Sequence, residues 1–318
     1  MSDLSVREAV PGDAEVVRDV IRTAFEARPA LDPPTTALAE TVDSVRAALQ
    51  LHGGLVCHVD GVAAGALLFA DAGSALNLRR VSAVPRFQSR GVASAMVGVA
   101  EEVAAARGYD DVSLLARSEL PDTVTFWRRR GYAEVSRAGT SLTLAKALPV
   151  QVRAPAADDA REAGRRLAGL LRRGDLVIAT GDLGAGKTTL VQGIGAGLNV
   201  RGDVTSPTFV ISRIHPSLAG GPALVHVDAY RLGDEAELDD LDIDAYVDDS
   251  VTVVEWGEGV AEGLATDRLR VHLARRHGGA DDEDTGDDTR EIFVTPVGAR
   301  WVGAGVRTAM AGSRRDCA

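Results

Sequence analysis

The chain has 318 residues, so at roughly 150 residues per domain two domains are expected. With 35 basic against 46 acidic residues (formal charge −11), 45% hydrophobic and 25% charged, the composition is that of a globular protein and excludes a disordered chain or a generic nucleic-acid-coating protein. Only Lys146 and Lys187 among the basic residues are lysine, which draws attention to both.

Two cysteines, Cys57 in an apolar run and Cys317 near the end, cannot build a disulfide framework, and no Cys/His spacing suggests zinc. A reducing compartment follows. MSDLSVREAV lacks a signal pattern and the longest apolar run, Gly61 to Ala70, is too short for a span, so a cytoplasmic, non-membrane protein is expected.

In chain order the hydrophobic patterning predicts a strand at 4–8, helices at 13–26 and 41–51, strands at 55–59, 62–69 and 76–84, a long helix at 92–107, a strand at 111–116, a helix at 121–130 and a strand at 133–135. A strand-like SLTLAKAL and a helical DDAREAGRRLAGLL flank PVQVRAP, whose Pro149 and Pro155 discourage a continuous helix and set a boundary near 150. The halves differ in charge, 16 basic and 18 acidic residues over 1–148 (−2) against 19 and 28 over 149–318 (−9). Six of those acids fall in DDEDTGDD, Asp281 to Asp288, which reads as a solvated insertion over 278–290. The expected organisation is a mixed α/β domain over 1–148, a domain with a mostly parallel sheet over 149–302 whose GDLGAGKT word, Gly181 to Thr188, is that of a P-loop, and a tail over 303–318 without readable signal.

In the first half VSAVPRFQSRGVA, Val81 to Ala93, runs from a strand through a turn into a helix. Backbone N–H groups of the turn and first helical turn lack internal partners and lie at the positive end of the helix dipole, which suits a pyrophosphate. Gly91 and Ala93 permit close approach; Gln88 and Arg90 add polar and cationic contacts. Gln88, Gly91 and Ala93 resemble the Gln/Arg-x-x-Gly-x-Gly/Ala loop of the Gcn5-related N-acetyltransferase family, and TFWRRRGY, Thr125 to Tyr132, resembles that family's Phe-Tyr-x-x-x-Gly-Phe segment. The resemblance spans residues 3–147. It implies acetyl-CoA held by Val84, Gln88, Ser89, Arg90, Gly91, Val92 and Ala93, and transfer of acetyl to an unidentified amine. Trp127 stands where many members carry the tyrosine that protonates the departing thiolate, and an indole N–H is no practical acid. Tyr132 reads as a core aromatic, so the acid is unassigned and a non-catalytic docking or sensor module stays open. Arg128 to Arg130 is the one dense basic run, read as a solvated face or a contact to coenzyme A phosphates.

In the second half the apolar strand Leu176 to Thr180 feeds Gly181, Asp182, Leu183, Gly184, Ala185, Gly186, Lys187, Thr188 and Thr189 and then a helix, the complete G-x-x-x-x-G-K-[ST] loop in its strand-to-helix context. Its N–H groups turn inward around nucleotide phosphates, Lys187 supplies a compact charge to the β and γ oxygens, and Thr188 can ligate Mg²⁺. Asp228, ending ALVHVD, and Glu255, ending VTVVE, are acids at strand ends, where ligands sit in open α/β sheets. TSPTF (Thr205 to Phe209), HVDAYRL (His226 to Leu232) and VEWGE (Val254 to Glu258) resemble, in order and spacing, the bacterial TsaE (YjeE) ATPase family of tRNA threonylcarbamoyladenosine synthesis, over about 150–302. The resemblance implies ATP, partner proteins TsaB and TsaD, contact with tRNA only through them, Thr188 and Glu255 on Mg²⁺, and Asp228 orienting the metal shell or attacking water. Thr205, Ser206 and Thr208 form a possible switch segment, Tyr230 and Arg231 are structural or partner-facing, Trp256 packs near the nucleotide or fills core, and His226 is a core histidine or a site residue. A small-molecule kinase is the competing class; no acceptor-site or lid pattern follows the sheet.

Overall fold

A computed structural model describes residues 3–207, 210–232, 237–238, 244–275 and 289–311. The chain divides into two compact units, Met1–Lys146 and Ala147–Ala318. Both are α/β, as the alternation of period-2 and period-3.6 patterns predicts.

The first unit is a seven-stranded mixed sheet ordered β1-β2-β3-β4-β5-β7-β6. Its strands are β1 (Leu4–Glu8), β2 (Gly54–Val59), β3 (Val62–Ala72), β4 (Ala75–Ala83), β5 (Asp111–Arg117), β6 (Ala133–Ala138) and β7 (Ser141–Ala147), with helices α1 (Ala14–Glu26), α2 (Val42–Leu51), α3 (Val92–Ala106) and α4 (Pro121–Arg128). Ala66 and Leu68 of β3 join the core under α1 and α2. Gly65, just before them and on the other face of β3, lies against α3, where a Cβ would be 2.6 Å from Val92 and 2.8 Å from Met96. A bulge opposite Leu67 puts Arg80 at φ +54°, shifting the β3–β4 register between Ala66 and Leu68. The parallel β4–β5 ladder runs from Ala75↔Asp111 to Leu78↔Leu114 and ends there, although the strands continue to Ala83 and Arg117. The two strands thus open a notch toward the turn that precedes α3.

The second unit is also seven-stranded, ordered β10-β11-β12-β9-β13-β14-β8, with β11, β12, β9 and β13 parallel and the remainder antiparallel. Its strands are β8 (Val150–Ala154), β9 (Leu176–Thr180), β10 (Ser212–His215), β11 (Ala223–Asp228), β12 (Ser250–Glu255), β13 (Arg268–Arg275) and β14 (Arg290–Val297), with α5 (Ala157–Ala168), α6 (Lys187–Gly197), α7 (Asp244–Val247) and α8 (Val306–Ala311). The parallel strands are apolar on both faces because both are covered. Val177, Leu224, Val251 and Val253 pack beneath α5 and α6, whereas Leu176, Ile178, Val225, Val227 and Val254 pack on the other side with Val247 and Ala261.

Three sequence readings change. The Pro149–Pro155 stretch contains strand β8, hydrogen-bonded to β14 at the sheet edge, where a proline at either end costs no ladder bond. Part of the supposed tail is helix α8, whose Val306 (2% exposed) and Met310 (0%) enter the main core of the second unit. Arg290, assigned to the acidic insertion, begins β14 and is buried. Asp281 to Asp288 lie outside the described residues. Among the described residues no helix is long and apolar enough to cross a membrane.

Candidate functional site

In the second unit, β9 ends at Thr180 and the chain wraps through Gly181 to Gly186 into α6, with Gly186 as left-handed N-cap (φ +99°). Gly181 sits at φ +131°, and a Cβ there would lie 2.1 Å from the Leu273 carbonyl oxygen, so the loop's first residue is pressed against β13 and admits no side chain. Asp182, Leu183 and Gly184 are exposed, Ala185 is buried, and Thr189 lies in the first turn of α6.

Lys187 is buried; its Nζ donates to the carbonyl oxygens of Gly181 (2.7 Å) and Asp182 (2.9 Å) and lies 3.7 Å from the Trp256 ring centroid. Burial lowers the pKa of the ammonium, opposed by Glu255, Asp228 and Asp182. Trp256 follows β12 at φ +61°, rare for a bulky side chain; its N–H bonds to the Ala179 carbonyl (2.9 Å) and its ring meets Tyr230 at 5.1 Å.

Parallel pairing sets Asp228 of β11 directly beside Glu255 of β12. Glu255 is 3% exposed. It accepts from Thr188 Oγ1 at 2.9 Å (Oε1) and 3.1 Å (Oε2), and its Oε1 lies 2.8 Å from His226 Nε2. Asp228 Oδ2 accepts from Ser206 Oγ (3.2 Å) and Oδ1 from the Tyr230 N–H (3.1 Å), capping the turn Ala229–Arg231. Thr205 is exposed and accepts from Arg213 (3.1 Å); Thr208 and Phe209 lie outside the described residues. Tyr230 and Arg231 are exposed.

The donors fit a magnesium nucleotide. Thr188 Oγ1 and Glu255 Oε2, 3.1 Å apart, match adjacent corners of an octahedron with bonds of about 2.1 Å, whose edge is about 3 Å. Among the described residues no group of three or more His, Cys, Asp or Glu side chains could hold a metal alone. Mg²⁺ binds one or two protein oxygens and completes its shell with phosphate and water, a role that Thr188 and Glu255 would fill. Arg290, not among the site residues read from the sequence, lies against the loop, its Nε 2.9 Å from where a Gly186 Cβ would stand. Its position in β14, far along the chain, left no local signal.

In the first unit Val84 precedes the turn Pro85–Phe87, and positive φ at Ser89 (+63°) and Gly91 (+81°) alternates the backbone hand as anion-binding concavities require. Gln88, Ser89, Arg90 and Gly91 are exposed, Val92 is buried and Ala93 partly so. Arg130 donates to Ser94 in the first turn of α3 and stacks 3.7 Å from the Phe126 ring, whereas Arg128 pairs with Glu134 (3.4 Å). Asp19, Thr23, Val84, Pro85 and Arg86 line a cavity of about 550 Å³ between α1 and the end of β4. Trp127 is 3% and Tyr132 2% exposed, their rings edge-on at 4.9 Å. The Tyr132 hydroxyl donates to Glu101 Oε1 (3.1 Å), and burial beside that carboxylate pushes its pKa far above the ordinary tyrosine value. Lys146, one of the two lysines, is half-buried and bonded to the other Glu101 oxygen (2.7 Å).

A family model described as "Threonylcarbamoyl adenosine biosynthesis protein TsaE" matches residues 154–283. The tRNA threonylcarbamoyladenosine biosynthesis protein TsaE of Streptomyces coelicolor is 60% identical over 147 residues, 46% of this chain and 96% of that protein. Its namesake in Bacillus subtilis is 37% identical over 145 residues, 45% of this chain and 84% of that protein. Solved structures similar to the N-terminal half include the PaiA N-acetyltransferase of Thermoplasma acidophilum in complex with coenzyme A, at 14% identity and TM-score 0.41 over 46% of this chain and 99% of that one. Through its second unit, the chain belongs to the TsaE family.

Proposed function

We propose that the second unit hydrolyses ATP in support of tRNA threonylcarbamoyladenosine synthesis, working with TsaB and TsaD and reaching tRNA only through them. The carrying observation is the meeting of Lys187, Thr188 and Glu255 at one glycine-rich loop that leads from a strand into a helix. Lys187 exchanges the Gly181 and Asp182 carbonyls for the β and γ oxygens, which a point charge fits better than a planar guanidinium. Thr188 and Glu255 hold Mg²⁺, with Asp228, at the adjacent strand end, orienting the water that attacks or the metal's own waters. When bound, Mg²⁺ would supply charge neutralisation to the phosphate oxygens, held there by Thr188 and Glu255. Gly181 through Thr189 cradle the phosphates and Trp256 borders them. The charge of −9 on the second half disfavours direct grip on tRNA phosphates. Measuring ADP release by the full chain with and without TsaB and TsaD tests this reading: stimulation by both supports it, and phosphorylation of a small acceptor instead establishes a kinase.

The first unit is proposed to bind acetyl-CoA, its pyrophosphate on Gln88 to Ala93 and its thioester end in the notch where β4 and β5 separate. Neither Trp127 nor the Glu101-bound Tyr132 hydroxyl is placed to release a proton, which favours a binding module alongside the N-acetyltransferase reading. Calorimetry with acetyl-CoA, followed by an assay for free thiol with amine acceptors, separates the two; no binding overturns both.

A further inference from the structure

We infer that His226 is a positioning residue for the cation-binding carboxylate, donating its Nε2–H to one oxygen of Glu255 so that the other oxygen and Thr188 Oγ1 face a divalent cation as a fixed pair. The inference rests on the magnesium-nucleotide reading of the second unit.

His226 lies on β11 two residues before Asp228, in register with Val253 of β12. It is fully buried, as is nearly all of the Glu255 carboxylate. The 2.8 Å contact from Nε2 to Oε1 joins a ring nitrogen to a group that, ionised, only accepts, so the hydrogen sits on Nε2. Nδ1 is then an acceptor, and among the described residues it has no hydrogen-bond partner. A histidine serving only to fill the core carries there a desolvated, unpaired nitrogen that a leucine of similar volume would not. What histidine supplies at this place and leucine cannot is the donated Nε2–H.

Glu255 needs that donor. Thr188 Oγ1 approaches both carboxylate oxygens almost equally, at 2.9 and 3.1 Å, and therefore does not fix the rotation of the carboxylate about its own axis. His226 contacts Oε1 alone and, enclosed by the strands, has no freedom to follow a rotation. With Oε1 held, Oε2 remains on the Thr188 side. Buried donors that orient a ligating carboxylate in this way typically affect metal affinity by about 10- to 100-fold.

The test uses the full chain, a fluorescent ADP, and Mg²⁺ titrated from a chelated start. His226→Leu is expected to bind the nucleotide without Mg²⁺ within about twofold of wild type, while the Mg²⁺ concentration giving half of the metal-dependent tightening rises about tenfold or more. His226→Gln, whose amide N–H can reach the same oxygen, is expected to recover most of that shift. An unshifted Mg²⁺ midpoint in the leucine variant overturns the inference. Should that variant fail to fold, His226→Asn, polar but too short to reach Glu255, takes its place with the same two outcomes. Wild-type chain that binds no nucleotide overturns the ATPase reading itself; wild-type binding with a Mg²⁺ dependence indifferent to position 226 overturns only the role of His226.

Discussion

Lys187 Nζ stands 3.7 Å from the centre of the Trp256 ring while donating to two carbonyls of its own loop. Two backbone oxygens and an indole face together surround the ammonium. Phosphate oxygens are better acceptors than neutral carbonyls, so nucleotide binding should draw Nζ off the ring. Trp127 and Trp301 are buried, whereas the Trp256 ring faces Lys187 Nζ, which makes Trp256 the reporter. ADP is expected to change the tryptophan emission of the full chain, and Trp256→Phe to abolish the change. Lys187→Ala and Glu255→Ala should each lower ATP hydrolysis by about 10² or more, the usual loss when one charge-stabilising group is removed. Near wild-type turnover in either variant would remove these residues from the mechanism.

Gly181→Ala should unfold the loop rather than merely slow it. The added methyl would meet the Leu273 carbonyl at 2.1 Å, and that carbonyl belongs to the β13 backbone, which is paired there with Ile292 of β14. Overpacking together with strain at φ +131° is expected to cost about 2–4 kcal/mol. Urea denaturation of the second unit's transition measures it, and a midpoint equal to wild type would show that β13 yields.

Much of this architecture is written locally. Strands such as Leu176–Thr180 and Ser250–Glu255 announce themselves by β-branched apolar runs, and the phosphate loop by a contiguous word. The rest depends on partners distant in the chain. Strand β8 looks like a linker because its prolines are local, whereas its pairing with β14, including Gln151 Nε2 to Glu291 (2.9 Å), joins residues 140 apart. Lys146 gains meaning only from Glu101, and His226 only from Glu255 across a parallel register that no local pattern encodes. Helix α8 is under two turns long with two buried apolar side chains, too brief for periodicity to register.

At the start of α1, Arg7 grips Asp13 through both carboxylate oxygens (2.7 and 2.8 Å), and the Val10 N–H adds a third bond (2.8 Å). The Arg7 hydrogen bonds, foremost, hold the Asp13 pKa down to about 2. Because the folded value lies below the unfolded one, the stabilisation is complete above the ordinary aspartate pKa of about 4 and is lost as pH falls through about 2. Asp13→Asn should therefore lower the first unit's melting temperature at pH 7. The gap should be unchanged at pH 5 and narrow below pH 4. A gap independent of pH would mean that the charge contributes nothing.

Tyr132→Phe separates structure from chemistry in the first unit. Its hydroxyl is enclosed beside Trp127 and donates to Glu101, whose second oxygen is held by Lys146. Removing the hydroxyl takes away one hydrogen bond to a carboxylate that keeps its lysine, at a cost of about 1–2 kcal/mol. A phenol with its pKa raised this far holds its proton at any physiological pH, and as an acid it would have to break its bond to Glu101 to reach a thiolate. The variant should melt a few degrees lower and, if the unit transfers acetyl groups, turn over within about twofold of wild type with the same pH profile. A fall of about 10² in turnover with acetyl-CoA affinity intact would instead make Tyr132 the proton donor, because losing a general acid costs that much while losing a core hydrogen bond does not.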